Sequence, residues 1–190
     1  MSKPDNKTNI VVGINYSSHG TGDLHGFSIN LEYRKQVKKR ITLSFGLTST
    51  IHDGKILIAY FDSTGDRRDA SLRINTSGVQ LTSAVEFTIL KTKKNQFAVG
   101  IAPLVRYQTT SRPNDLFVYF PAATGFPLPV LAINNTTPQR TLTAGGLISL
   151  SYNRQLSEQL TFGVRVSTQN DTRLDVINQI GLSLMYRLIK

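Results

Sequence analysis

The chain of 190 residues contains no cysteine and no tryptophan, and it has only two methionines. Without cysteine it can form neither disulfides nor thiolate metal sites. No run of eighteen or more apolar residues occurs, which argues against a transmembrane helix. Apolar residues also show no convincing helical periodicity. These absences leave β-structure as the main expectation.

What the sequence does contain is alternation. Eight stretches of about ten residues, such as Phe27–Arg34, alternate apolar with small or polar residues. This pattern is typical of strands whose two faces meet different surroundings. Short connections alternate with longer ones, of which those at about 52–79 and 109–139 are very long. We therefore predict an eight-stranded antiparallel up-and-down transmembrane β-barrel at 9–190, preceded by a disordered tail at 1–8.

Alternation alone does not decide which face points outward. The polar face consists mostly of glycine, alanine, serine and threonine, without lysine in any strand centre. Small side chains suit the narrow interior of an eight-stranded barrel, so we expect the apolar face to contact lipid. The alternative is a soluble barrel that binds a lipophile inside. Pro103 lacks a ladder donor, so we also expect a β-bulge there.

Charged residues on the polar face come in both signs, and buried charges persist only when they are paired or hydrogen-bonded. We expect a lumen network that holds the barrel together, formed by Glu32, Arg34, Glu86, Arg106, Arg165 and Arg187. Aromatic residues of the apolar face cluster towards the strand ends, as in membrane interfaces. The predicted interfacial aromatics are Tyr16, Phe27, Tyr33, Phe97, Tyr107, Tyr152, Phe162 and Tyr186.

The last strand, Gly181-Leu-Ser-Leu-Met-Tyr-Arg-Leu188, resembles the C-terminal insertion signal of small outer-membrane barrels. From Asn9 to Lys190 the chain is similar to the eight-stranded OmpA/OmpX type of Gram-negative bacteria. The stretch from Arg106 to Asp115, with Tyr119-Phe-Pro and Thr124-Gly-Phe-Pro, looks like a porin-like branch of this class. The resemblance implies an outer-membrane location, periplasmic termini and cell-surface loops, but it implies no single activity.

The second long loop carries an unusual amount of apolar area for a loop, which usually indicates function or packing. Its contact candidates are Phe117, Tyr119, Phe120 and Phe126. They predict either a lid packed on the barrel mouth or a contact surface for lipopolysaccharide or another surface partner. The lipid bilayer is the expected main partner, and no cofactor or metal is expected.

The favoured function is non-enzymatic: surface interaction, envelope integrity or limited passage of small solutes. A rim enzyme acting on lipid, a hydrolase or acyltransferase, is the alternative. It would use the Ser, His and Asp types that meet around Ser17, His19, Asp23 and His25. Their spacing matches neither a nucleophile elbow nor a metal motif.

The net charge of +10 comes largely from lysines and arginines in the short turns, such as Lys38, Lys39, Lys93 and Lys94. A ring of cations there can meet anionic head groups. No nucleic-acid-binding pattern accompanies the charge, so nucleic acid is not an expected partner.

The first residues do not form a signal peptide, so we expect the chain to be a mature or excised fragment.

Overall fold

A computed structural model describes residues 8–20, 24–61, 64–69, 71–111, 115–134 and 139–188, without the side chains of 60, 61, 115, 116, 133 and 134. The elements are β1 (Thr8–His19), β2 (Leu24–Lys38), β3 (Ile41–Ile56), β4 (Ala59–Phe61), β5 (Arg67–Asp69), β6 (Leu72–Lys91), β7 (Asn95–Thr110), β8 (Asp115–Tyr119), α1 (Pro121–Thr124), β9 (Val130–Asn134), β10 (Gln139–Gln155), β11 (Leu160–Asp171) and β12 (Val176–Leu188). Of the predicted tail at 1–8, Thr8 belongs to β1, and residues 1–7 lie outside the described residues.

The eight long strands form one closed barrel in which each strand is antiparallel to both neighbours. They follow one another around the barrel in chain order, and β12 returns to β1, where Thr8 lies opposite Leu188. Closure leaves no unpaired sheet edge, which is essential where no water can satisfy backbone groups. The predicted eight-stranded antiparallel up-and-down barrel is confirmed.

The apolar face of every long strand points away from the barrel axis. Phe45 and Phe87, in the middle of the apolar runs of β3 and β6, are 59% and 45% exposed. The buried positions are instead mostly serine, threonine, asparagine, glutamine and a few charged residues. A soluble carrier requires the reverse arrangement, so that alternative is wrong. An exterior of this kind suits hydrocarbon, as the transmembrane prediction requires.

The prediction of a bulge at Pro103 is wrong. Pairing between β6 and β7 has the same register on both sides of Pro103, with Thr82 opposite Leu104 and Val85 opposite Ile101. The ladder therefore loses pairs locally without gaining an extra residue, since proline removes a donor but still fits extended backbone. The register shifts lie at other places, between Gln36 and Lys38 and between Thr88 and Leu90.

The two ends of the barrel differ in their connections. The short-turn end carries the start of β1 at Thr8, the end of β12 at Leu188 and the turns at 39–40, 92–94 and 156–159. At the opposite, long-loop end, β3 and β6 continue as far as Ile56 and Leu72, well into the predicted loop at 52–79. The shorter loop between them contains the ribbon of β4 and β5, and the second loop contains α1 and the ribbon of β8 and β9. No helix among the described residues is long and apolar enough to cross a membrane.

Candidate functional site

Two glutamates and two arginines form a closed ring of ion pairs in the lumen. Glu32 and Arg34 lie on β2, Glu86 lies on β6 and Arg165 lies on β11. Nη2 of Arg34 lies 2.7 Å from Oε2 of Glu32 and 3.0 Å from Oε1 of Glu86. Nη2 of Arg165 lies 3.1 Å from Oε1 of Glu86, and Arg165 also pairs with Glu32. Each charge in this ion-pair ring therefore has two partners of opposite sign, which offsets the cost of burying it.

Glycines on neighbouring strands make room for the two glutamates. Gly46 lies directly opposite Glu32, and Gly100 lies directly opposite Glu86. A methyl group added at Gly46 would lie 3.2 Å from Cγ of Glu32. One added at Gly100 would lie 3.2 Å from Cγ of Glu86 and 2.6 Å from Oγ of Ser149. The carboxylates can lean across the lumen because these two positions lack a side chain.

A chain of polar side chains continues from the ion-pair ring towards the long-loop end. Asn30 donates to Oε1 of Glu32 over 3.0 Å, and Asn15 donates to Oδ1 of Asn30 over 3.1 Å. Asn15 and Gln179 both donate to Oγ of Ser28. The cavity left among these groups is only about 40 Å³, room for a small number of waters. The lumen is thus filled by side chains rather than open.

Arg106 does not join the ion-pair ring, contrary to the sequence expectation. It is 0% exposed, and its Nη2 donates to Oγ1 of Thr50 over 3.1 Å. Its Nε and Nη1 have no hydrogen-bond partner among the described residues. The reason is its register: Arg106 lies opposite Gln80 and Thr143, far along the strands from Glu32 and Glu86.

Arg187 also lies apart from the ion-pair ring, at the short-turn end. It is opposite Asn9 on β1 and lines a cavity at that end of the barrel. Its Nε is buried without a hydrogen-bond partner among the described residues. The predicted six-residue network is therefore wrong in extent, because the inward positions of different strands reach different levels of the lumen.

Two of the histidines meet inside the lumen rather than in one loop. Ser17 and His52 are both 0% exposed, with Oγ and Nε2 2.7 Å apart. The His19 ring centre is 5.3 Å from that of His52, and Nε2 of His19 is 3.7 Å from Asp175. The predicted rim cluster is thus not assembled as expected, since His25 faces outward and its Nδ1 lies 2.8 Å from the Tyr16 hydroxyl. Asp23 lies outside the described residues.

The Ser17–His52 contact lacks two features of an activated nucleophile. No side chain in the described part of the chain accepts a hydrogen bond from Nδ1 of His52. A triad needs an acid there to orient the imidazole, and it needs a nucleophile that substrate can reach. This contact is therefore better read as packing of polar groups inside the lumen.

All eight predicted interfacial aromatics lie on the outward face. On the short-turn side, the Tyr152 hydroxyl donates to Oδ1 of Asn95 over 2.9 Å. On the long-loop side, the rings of Tyr16 and Phe27 are in edge contact at 6.1 Å. Tyrosine rings with their polar tips hydrogen-bonded near strand ends fit the boundary between hydrocarbon and water.

The second long loop presents an exposed surface that we call the apolar ribbon (residues 116–134). It contains β9, α1 and most of β8, and its sequence has no charged residue. Phe117, Tyr119, Phe120 and Phe126 are all exposed, Phe120 to 64%. Such side chains are unusual on a loop surface in water. Of the two predicted roles, a lid packed on the barrel mouth and a contact surface, the exposure of these four aromatics favours the contact surface.

The extended hairpin of β3 and β6 carries ion pairs beyond the barrel wall. Nζ of Lys55 lies 2.8 Å from Asp69, and Nε of Arg73 lies 2.6 Å from Asp53. The hydrogen bond from the Arg73 guanidinium lowers the pKa of the Asp53 carboxyl. The Lys55 ammonium lowers the pKa of Asp69 in the same way, helped by hydrogen bonds from Ser71. Because these pairs are exposed, each contributes little to stability.

No protein-family model and no curated protein matches the chain. Solved structures do match. Neisserial surface protein A superposes with a TM-score of 0.62 at 5% identity, over 95% of this chain and 97% of that one. Ail, the attachment invasion locus protein of Yersinia pestis, superposes with a TM-score of 0.55 at 10% identity, over 96% of this chain and 99% of that one. The structure of Ail in complex with the heparin analogue sucrose octasulfate gives a TM-score of 0.57 at the same identity and the same coverage of both chains. The fold is that of the small outer-membrane barrels.

Within this small-barrel fold, the described residues offer no set of three or more His, Asp or Glu side chains that could hold a metal ion. The carboxylates of Glu32 and Glu86 form ion pairs with arginines. What the small barrel presents is a filled lumen, an apolar belt and an exposed aromatic ribbon at one end. This arrangement is suited to binding at its surface.

Proposed function

We propose that this protein is an outer-membrane barrel with periplasmic termini that works by surface interaction, without catalysis, through its long-loop end. The observation that carries the proposal is the apolar ribbon. It is a 19-residue uncharged segment with exposed aromatics on a chain whose net charge is +10. Aromatic residues are enriched at binding surfaces because they bury a large area with few rotatable bonds.

The filled lumen supports this proposal over solute passage. The ion-pair ring of Glu32, Arg34, Glu86 and Arg165 is connected to further hydrogen-bonded side chains, and the cavity beside it is about 40 Å³. A hydrated solute would have to break several charge-assisted hydrogen bonds to pass. We expect no conductance steps above the lipid baseline in planar bilayers. Steady ion-selective steps would favour the pore instead.

The solved structures of similar fold also support a surface role. One is described as a surface protein and another as an attachment invasion locus protein, which has been crystallised with a sulfated sugar. For this chain the partner that fits best is one with apolar area, such as the lipid part of lipopolysaccharide or an aromatic-binding protein surface. The uncharged ribbon offers no counter-charge for a purely polyanionic partner.

The proposed orientation can be tested by cysteine labelling, since the chain has no native cysteine. Thr124→Cys in the ribbon and Lys94→Cys in a short turn would be expressed separately in a Gram-negative host. On intact cells, a membrane-impermeant maleimide should label Thr124→Cys and leave Lys94→Cys unlabelled until the outer membrane is opened. The reverse pattern would place the long loops in the periplasm and refute the surface role.

The proposed binding can be tested with ribbon variants. The triple variant Phe117→Ser, Phe120→Ser and Phe126→Ser should fold normally because these side chains are exposed. Cells that display it should attach less to lipopolysaccharide-coated and protein-coated surfaces than cells with the unaltered chain. A matched control, Arg67→Ser with Arg68→Ser in the other loop, should attach like the unaltered chain. Equal attachment by all three would reject the ribbon as the contact surface.

A further inference from the structure

A cavity of about 350 Å³ lies at the short-turn end of the lumen, opposite the end that carries the apolar ribbon. Its inner limit is formed by Arg34 and Glu86 of the ion-pair ring, and its rim is formed by the β6–β7 turn with Lys93 and Lys94 and by Arg187 of β12. The cavity is large enough for a compact polar group together with a few waters.

The charge of this cavity is positive and is not neutralised by its own acid. Glu86 is the acid in the cavity wall, and it is already paired with Arg34 and Arg165. Lys93, Lys94 and Arg187 make no ion pair with any described residue. The Nε atom of Arg187 is buried, with no hydrogen-bond partner in the described part of the chain. A buried donor of this kind is costly unless something binds to it.

Much of the remaining wall consists of amide side chains. Asn95 and Gln96 come from the start of β7, while Asn153 and Gln155 come from the end of β10. Amide NH₂ groups can donate to oxygens that the cations do not reach. Besides Arg34 of the ion-pair ring, the cavity thus combines the guanidinium of Arg187, the ammonium groups of Lys91, Lys93 and Lys94, and several neutral donors.

This combination fits a phosphate group better than a carboxylate. A guanidinium and lysines are the usual partners of phosphate, which offers several strongly accepting oxygens in a tetrahedral arrangement. A carboxylate has only two oxygens and would leave part of these donors unused. We propose that the short-turn cavity is a binding site for a phosphate-bearing ligand, held by Arg187, Lys93 and Lys94. The phosphate could belong to a phospholipid head group of the adjacent leaflet or to a soluble compound.

The first arm of the test uses the whole chain refolded in dodecyl maltoside, a detergent without phosphate. Inorganic phosphate is titrated against chloride at constant ionic strength, and backbone amide NMR signals of residues 92–96 and 187 are followed. We expect saturable shifts confined to these residues. Arg187→Gln should weaken the apparent affinity about tenfold, since it removes a charge-assisted hydrogen bond. Lys94→Gln, in an exposed turn, provides a second variant if Arg187→Gln fails to fold.

The matched control is Arg154→Gln. Arg154 is an exposed cation at the same end of the barrel, but it does not line the cavity. Its loss should change the affinity for phosphate less than twofold. Shifts that do not saturate, or equal weakening by Arg154→Gln and Arg187→Gln, would show general attraction to a basic surface and overturn the site.

The second arm identifies the source of the phosphate. Phosphatidylglycerol is added to the micelles in buffer without phosphate. If the ligand is a lipid head group, the same signals should shift at low lipid ratios, and inorganic phosphate should then cause no further shift. If the ligand is soluble, the lipid should leave these signals in place and inorganic phosphate should still bind. Absence of shifts with both probes refutes the site, whatever the outcome for the apolar ribbon.

Discussion

Replacing Glu86 by glutamine tests whether the ion-pair ring stabilises the barrel. Oε1 of the Glu86 carboxylate lies 3.0 Å from Nη2 of Arg34 in an ion pair and accepts a hydrogen bond from Nη2 of Arg165 over 3.1 Å, and the side chain is buried. Glutamine keeps the shape and one neutral acceptor but removes the charge. Arg34 retains two hydrogen bonds to Glu32, of 2.9 Å and 2.7 Å, so it is not left without a partner.

The magnitude follows from these contacts. The charge-assisted hydrogen bond from Arg165, of about 1.5–3 kcal/mol, and the ion pair with Arg34 are both replaced by weaker contacts between an arginine and a neutral amide oxygen. Arg165 and Arg34 then share one carboxylate in a buried place. We expect a loss of about 2–4 kcal/mol in the free energy of unfolding, somewhat less than the roughly 3–5 kcal/mol for breaking a buried pair outright, because both arginines keep Glu32 as a partner. Reversible urea unfolding of the chain in lipid vesicles, followed by tyrosine fluorescence and gel mobility, measures this loss.

Two further variants make the test decisive. Glu158→Gln removes an exposed carboxylate in a short turn and should change the stability by less than about 0.5 kcal/mol. The double variant Glu86→Gln with Arg165→Gln should be less destabilised than the sum of its parts, by about 1 kcal/mol or more. A loss for Glu86→Gln no larger than that for Glu158→Gln, with additive double-variant effects, would refute the ion-pair ring.

Three other outcomes follow from the structure. Gly100→Ala should cost about 1–3 kcal/mol in unfolding stability, since its methyl group would press on lumen side chains, whereas Gly146→Ala, which meets nothing within 4 Å, should be nearly neutral. On the lipid face, Leu47→Arg, opposite Leu31 and Leu81 between the two aromatic levels, should cost about 2–4 kcal/mol, and Leu142→Arg near the long-loop end about 0–1 kcal/mol; equal costs would contradict the membrane placement. The pKa of Asp53, followed by carboxyl NMR, should lie below its ordinary value. The stabilisation from its ion pair is therefore present above the unfolded-state pKa and is lost as the pH falls through the folded-state pKa, whereas a raised value would contradict the pairing.

The candidate site was predictable only in part. The alternation of each strand placed Glu32, Glu86 and Arg165 inside, and burial then required that they have partners. It could not say which arginines would meet them, because that depends on how far each strand is offset around the closed barrel. Arg106 and Arg187 are inward as predicted but lie at levels that Glu32 and Glu86 do not reach. The Ser17–His52 contact joins residues of β1 and β3, and it could not be predicted because it too depends on the offset between strands.

Local chemistry in the sequence was sufficient to determine the number of strands, the face of each that meets hydrocarbon and the end that carries the short turns. These properties depend on the two-residue period of a strand and on loop length, which are local. Tertiary structure alone decided the contents of each lumen level, because closure brings together residues that are distant in the chain. It also decided that the β3–β6 hairpin continues past the barrel wall and that the aromatics of the apolar ribbon stay exposed, since both depend on which neighbours are available to pack.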